Sequence, residues 1–265
     1  MTTEAFYKMK PLMDLYKSGN SKTFRPEGLP DMALWLDVVD SPITQDEDHY
    51  VSVWEDISGN NRHAVQENYS QQFRLGVKKT PNNIDMMSAA DETLMNVDLS
   101  FLTDSSFSMY FVTGHEGVTP PPQNYFIGTG NGYPQTRRML RAGYYTPVYI
   151  FTGVGPTDGV FTSIPSTTGA LYKYQIWHFN FENGVTKSAL FYQDGAEYSE
   201  NLKAGDPTMG MLEAANGVIG CGYTSAGTPS YYWKGEIAAM LIYSSSHSDA
   251  ERAQVLNYLI SRFGL

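Results

Sequence analysis

A chain of 265 residues, 42% hydrophobic and 17% charged, is long enough to bury one sizeable core. Its 28 acidic residues against 18 basic ones give a formal net charge of −10. That balance leaves no basic stripe to meet nucleic acid or anionic membrane. The single cysteine, Cys221, excludes an intrachain disulfide, and its apolar neighbours read as those of a small buried hydrophobe rather than a reactive thiol.

The first eleven residues hold no apolar stretch of the signal-peptide kind, and no run reaches the length of a membrane span. The expectation is a protein made in the cytoplasm and not exported by the usual route. Residues 1–31 read as a separate arm. Phe6, Met9, Leu12, Met13, Leu15 and Tyr16 are spaced loosely like a helix face, interrupted by Pro11, before Gly- and Pro-rich loop. Such an arm either folds back onto its own domain or docks onto another subunit, and the residues leave both open.

The globular part, 32–265, is rich in 19 Tyr and 13 Phe with 24 Gly and 14 Pro, a composition of strands joined by many turns. Strands are predicted at 32–38, 50–54, from Ile84, at 106–113, from Tyr125, from Arg138, at 147–151 and at 174–181. In the last of these, Tyr174, Ile176, His178 and Asn180 alternate against Gln175, Trp177, Phe179 and Phe181, and a hairpin to 189–195 closes at Asn183 and Gly184. His178 reads as a hydrogen-bonded interior or face residue. About a dozen short strands, with helix only at the ends, mean a two-sheet sandwich or jelly roll.

The closing stretch supplies its centre and its lid. Residues 236–243 are apolar on both faces, with Ile237, Ala239, Leu241 and Tyr243 expected to alternate against Ala238, Met240 and Ile242. Ser248 and Glu251 have capping-box spacing, Ala253, Leu256, Leu259, Ile260 and Phe263 share a helical face, and Gly264 suits the C-terminal cap.

Several motifs together carry a family likeness. They are Leu34-Trp-Leu-Asp37, then Trp54-x-Asp56-x-Ser58-Gly59-Asn60 with His63 and Ala64, Tyr192-Gln-Asp194-Gly195, Ile219-Gly220, Gly235-x-Ile237-Ala238, Ile242-Tyr243, and the run from Ser248 to Leu265. In this order they resemble laminin G-like domains of the concanavalin A-like lectin/glucanase fold, especially the versions found in bacteriophage structural proteins and bacterial surface proteins. The resemblance covers roughly residues 32–265. It implies an all-β jelly-roll sandwich of two antiparallel sheets, with the C-terminal helix and the N-terminal arm added. The fold hosts lectins, glycosidases, adhesion modules and structural domains, so it does not fix a function.

The chemistry-bearing residues then narrow the expectation. Asp56, Ser58, Gly59 and Asn60 shape a turn, and the functional alternative is a calcium site there or at Asp46 and Asp48. Calcium is the one cofactor considered. Glycosidases of this fold place carboxylates alternately on one strand as Glu-x-Asp-x-Glu, and no such run occurs. Glu236 is the only carboxylate in the C-terminal strand, so the expectation is no enzyme. Tyr125, Tyr133, Tyr144, Tyr145, Tyr149, Tyr231, Tyr232 and Trp233, set among Gly, Asn and Gln, are candidate ligand-binding residues. The alternative packs half of them between sheets or at a subunit interface.

These readings combine into an expected non-catalytic phage virion component that holds host surface glycan. It would dock to other virion proteins through residues 1–30, as a homo-oligomer. A purely structural decoration or connector protein is the alternative, and a polysaccharide depolymerase is third.

Overall fold

The computed structural model describes residues 24–103, 105–115, 123–129, 138–145, 149–154, 158–160, 174–182, 190–193, 196–197, 217–223 and 228–265. The early strands are β1 (Met32–Asp37), β2 (Ile43–Gln45), β3 (Tyr50–Trp54), β4 (Ala64–Val65), β5 (Phe73–Lys79), β6 (Asp85–Ser88) and β7 (Met95–Val97). The middle supplies β8 (Phe107–Gly114), β9 (Gln123–Gly128), β10 (Arg138–Tyr145), β11 (Tyr149–Val154), β12 (Asp158–Val160), β13 (Gln175–Phe181), β14 (Leu190–Gln193) and β15 (Ala196–Glu197). Then come β16 (Gly217–Ile219), β17 (Gly222–Tyr223), β18 (Pro229–Ser230), β19 (Glu236–Tyr243) and the helix α1 (Asp249–Phe263).

β19 lies at the centre. Along one side it pairs with β8; along the other it pairs with β6 through Glu236 and Ile237, then with β1 through Ala239 to Tyr243. From β8 the sheet runs on through β13 and β14 to β15. From β6 it runs through β5, β3, β4, β7, β16, β9, β10 and β11 to β12, with β2 on the far edge of β3. All of these pairings are antiparallel. The expected two sheets are therefore joined through β19 into one sheet that curls over its own core.

The core shows the layering. Met109, Phe111, Trp177, Phe179, Met240 and Ile242 from one layer meet Val51, Trp54, Phe73, Met95, Phe126 and Ile219 from the other. The alternation predicted for β13 holds, since Trp177, Phe179 and Phe181 face this core while Ile176 faces the helix side. The β13–β14 pairing holds too, and the expected turn at Asn183 and Gly184 lies outside the described residues.

Alternation along β19 differs from the expectation. The register shifts between Ile237, opposite Thr113, and Ala239, opposite Val112, so Ala238 is an extra residue in the strand. A bulge of this kind swaps the faces of everything beyond it. Ile237 thus shares the inner core with Met240 and Ile242, while Ala238, Ala239, Leu241 and Tyr243 lie under the helix.

The helix seals that second face with Val255, Leu256, Leu259 and Phe263, worth roughly 1.5–3 kcal/mol for each fully buried side chain. Its ends follow the sequence. Ser248 accepts from the Glu251 amide, and the Glu251 carboxylate accepts from the Ser248 amide at 2.8 Å. Gly264 takes φ 77°, and Asn82 donates to the carbonyls of Ser261 and Arg262 at 3.1 and 3.0 Å. Replacing Ser248 with Ala is expected to cost about 1 kcal/mol by losing the cap, read as a lower urea midpoint with an unchanged m-value.

The part of the arm that is described folds back onto its own domain. Phe24 and Leu29 pack against the helix-side core, and the Tyr243 hydroxyl donates to the Pro26 carbonyl at 3.0 Å. Residues 1–23 lie outside the described residues.

Candidate functional site

A row of side chains crosses four neighbouring strands. Tyr50 on β3 is paired with Arg74 on β5, Arg74 with Ser88 on β6, and Ser88 with Glu236 on β19. Directly opposite residues of antiparallel strands project to the same side of the sheet. The flanking positions Val51, Phe73, Met87 and Ile237 point into the core, so the row faces outward. Three strand spacings make it about 14 Å long.

The row runs from a buried end to an exposed one. At the buried end Glu236 is 7% exposed. Its register partner is Gly114, where a Cβ would stand 2.7 Å from the Glu236 Oε2 and 2.9 Å from the Tyr174 ring. Only glycine lets that carboxylate and that ring close over the strand. Ser88 Oγ is buried and has no hydrogen-bond partner among the described residues.

The exposed end is aromatic. The Tyr50 and Tyr69 rings stand 4.5 Å apart, tilted by 51°, and Tyr69 is 50% exposed. Tyr69 is held by a one-turn 3₁₀ helix, Tyr69–Gln71, whose capping Asn68 accepts from the Ser70 amide and hydroxyl. The Arg74 guanidinium lies 5.7 Å from the centre of the Tyr50 ring, and its Nε donates to the Asp48 carbonyl at 3.0 Å. Asp46 accepts from the amides of Asp48 and Tyr50, both at 2.9 Å, which folds the acidic loop against the ring pair. Partial desolvation first, then the charges of Asp46 and Asp48 with Tyr50 between them, hold the Tyr69 hydroxyl above its ordinary pKa.

Of the candidate ligand-binding residues, the structure brings Tyr125 and Tyr231 together. Tyr125 is 5% exposed, with the Tyr231 ring edge-on at 5.9 Å, and its amide donates to the Tyr231 carbonyl. Tyr231 takes φ 56°, and the Tyr232 hydroxyl donates to the Pro229 carbonyl at 3.2 Å. Tyr144 is the register partner of Asn124, Tyr145 of Gln123, and Tyr149 of Gly143, while their side chains lie outside the described residues. Tyr133 lies outside them entirely. Trp233 is fully buried, edge-on to Phe126 at 5.4 Å, so it is a core residue and offers no plane to a ligand.

The acidic candidates divide in two. Asp56 accepts from the amides of Trp35, Ser58 and Arg62 and from the Ser58 hydroxyl, all within 2.8–3.0 Å. Asn60 donates to the Met32 carbonyl at 2.9 Å. Both oxygens of Asp56 are thereby committed to the turn, which fits a backbone organiser and does not fit a calcium ligand. Asp46 and Asp48 are exposed in the loop beside Tyr69. Among the described residues no group of three or more His, Cys, Asp or Glu could hold a metal ion.

The row was not legible as a site in the sequence. Tyr50 and Tyr69 are 19 positions apart, and β5 was missed because Gly76 and two lysines interrupt its apolar pattern. The available signal was Tyr69 itself, an aromatic in the polar run from Glu67 to Gln72, where no helix or strand periodicity accounts for it.

With this geometry in view, the chain is similar in structure to three carbohydrate-active proteins. The Trypanosoma rangeli sialidase in complex with 2,3-difluorosialic acid matches 96% of this chain and 38% of its own, with TM-score 0.55 and 12% identity. Domain 4 of AbnA, a GH43 extracellular arabinanase from Geobacillus stearothermophilus in complex with arabinotriose, matches 85% of this chain and 98% of its own, with TM-score 0.58 and 12% identity. An arabinofuranosidase complexed with arabinofuranosyl-alpha-1,2-xylobiose matches 81% of this chain and 51% of its own, with TM-score 0.57 and 13% identity. No protein-family profile matches the chain, and no curated protein matches it.

At such identity the likeness shows the fold alone, a mostly antiparallel β-sandwich with a C-terminal helix. It also corrects the expected function. The neighbours are carbohydrate-active enzymes, which overturns the reading of a non-catalytic virion component and the exclusion of an enzyme. The exclusion rested on a missing Glu-x-Asp-x-Glu run, and that run tests one strand only. A site assembled across strands leaves no run to read.

Proposed function

We propose that this chain is a carbohydrate-active β-sandwich of the glycoside hydrolase kind, which engages an oligosaccharide. The observation that carries the reading is the match with the arabinanase domain, which covers 85% of this chain and 98% of a domain whose complex holds arabinotriose. The sialidase and the arabinofuranosidase support the same substrate class over part of their lengths. The exposed end of the row, the Tyr50–Tyr69 ring pair with Arg74 beside it, has the chemistry of a saccharide contact.

The test offers the purified chain arabino-oligosaccharides, arabinofuranosyl-xylobiose and sialosides. Release of reducing sugar is followed in one series and saturable binding by calorimetry in another. Cleavage or saturable binding supports the proposal. If neither appears with any saccharide, the proposal fails.

A further inference from the structure

Resting on that carbohydrate reading, we infer that the Tyr50–Tyr69 pair with Arg74 and the Asp46–Asp48 loop is a saccharide subsite, and that it selects neutral sugars over acidic ones. Sugar rings present an apolar face of C–H bonds and a rim of hydroxyls. An exposed aromatic plane takes the face, and charged side chains beside it take the rim.

Both parts are present and held in place. Tyr69 is 50% exposed, yet it leans on Tyr50 at 4.5 Å and sits on a turn capped by Asn68, so little motion is left to be lost on binding. Arg74 is fixed by its bond to the Asp48 carbonyl and stands over Tyr50, with its remaining N–H groups available to hydroxyl oxygens. The carboxylates of Asp46 and Asp48 can accept from sugar hydroxyls.

The charge of the surroundings decides the class of sugar. Three consecutive acidic residues, Asp46, Glu47 and Asp48, are exposed beside the ring pair, against one arginine. The chain as a whole carries a formal −10. A sialic or uronic acid brings a further carboxylate into that field and is repelled, while a neutral arabinose- or xylose-type ring is not.

The experiment titrates the protein with arabinotriose and xylotriose as neutral probes and with a sialyl trisaccharide as the acidic probe. The same titrations follow for Tyr69→Ala and Tyr69→Phe, with thermal midpoints as a folding control. The expected result is tighter binding of a neutral probe, weakened about tenfold in Tyr69→Ala and kept in Tyr69→Phe, which retains the plane. Unchanged affinity in Tyr69→Ala overturns the subsite and leaves the carbohydrate reading standing. Preference for the sialyl probe overturns the selectivity. Saturable binding of no probe, with no cleavage, overturns the carbohydrate reading and this inference with it.

Discussion

Arg262→Met is expected to destabilise the protein by about 3–5 kcal/mol at pH 7, measured by urea unfolding. The reason lies where α1 meets the end of β1. Arg262 Nε is 3.0 Å from Asp37 Oδ2, and its terminal nitrogen is 2.8 Å from Asp40. The Asp37 side chain is fully buried, and its other oxygen accepts from the Val39 amide at 2.8 Å. Met keeps most of the packing and removes the charge, so the ionised carboxylate is left in the interior with one charge partner fewer. Breaking one side of a buried pair costs far more than the intact pair contributes.

That loss should depend on pH in a definite direction. Burial lifts the Asp37 carboxyl above its ordinary pKa, with the Arg262 charge pulling it down. A carboxyl raised by folding favours the fold while protonated, and that contribution is lost as pH rises through its folded pKa. Without Arg262 the carboxyl rises further. The difference between variant and parent should therefore be largest at neutral pH and shrink as acid protonates Asp37. A loss under 1 kcal/mol, or one that is the same at pH 7 and pH 4, would count against this account of the pair.

Acid itself is expected to remove about 3 kcal/mol between pH 6.5 and pH 4 through His247. Its imidazole sits beneath the start of α1, with Nδ1 2.7 Å from the Tyr110 hydroxyl, and its amide donates to Ser108 Oγ and Asn180 Oδ1, both at 2.8 Å. Burial lowers its pKa to about 4, against small upward pulls from Glu251 and Asp31. His178, fully buried and stacked on the Tyr110 ring at 4.2 Å, is lowered in the same direction by burial, then by Arg252 and His247. Across this window the unfolded chain binds the proton and the folded chain does not, so stability falls as pH falls. Urea midpoints at pH 7, 5.5 and 4 give the slope. His247→Gln should flatten it, and an equal slope in parent and variant would exclude His247 as its source.

Much of the frame was legible because it rests on local chemistry. The helix from Asp249 to Phe263 was readable from the Ser248–Glu251 spacing and from Gly264, since caps are satisfied by residues adjacent in sequence. Strand β13 was readable because strict alternation over eight residues has one physical solution, a strand with two different environments. Strand β5 was not, since it is mostly exposed and is held by its pairing with β3 and β6 rather than by an apolar pattern of its own.

The amino-acid sequence by itself determined that the chain is a turn-rich, acidic β-structure closed by a capped C-terminal helix. Tertiary structure alone decided that the layers are one curled sheet, because the extra residue in β19 changes its partner and its faces midway along the strand. It alone placed Trp233 in the core. The same pairing brought Tyr50, Arg74, Ser88 and Glu236 into a single row from positions up to 186 residues apart. Register between strands is set by long-range hydrogen bonds and shared burial, and no neighbouring residues encode it.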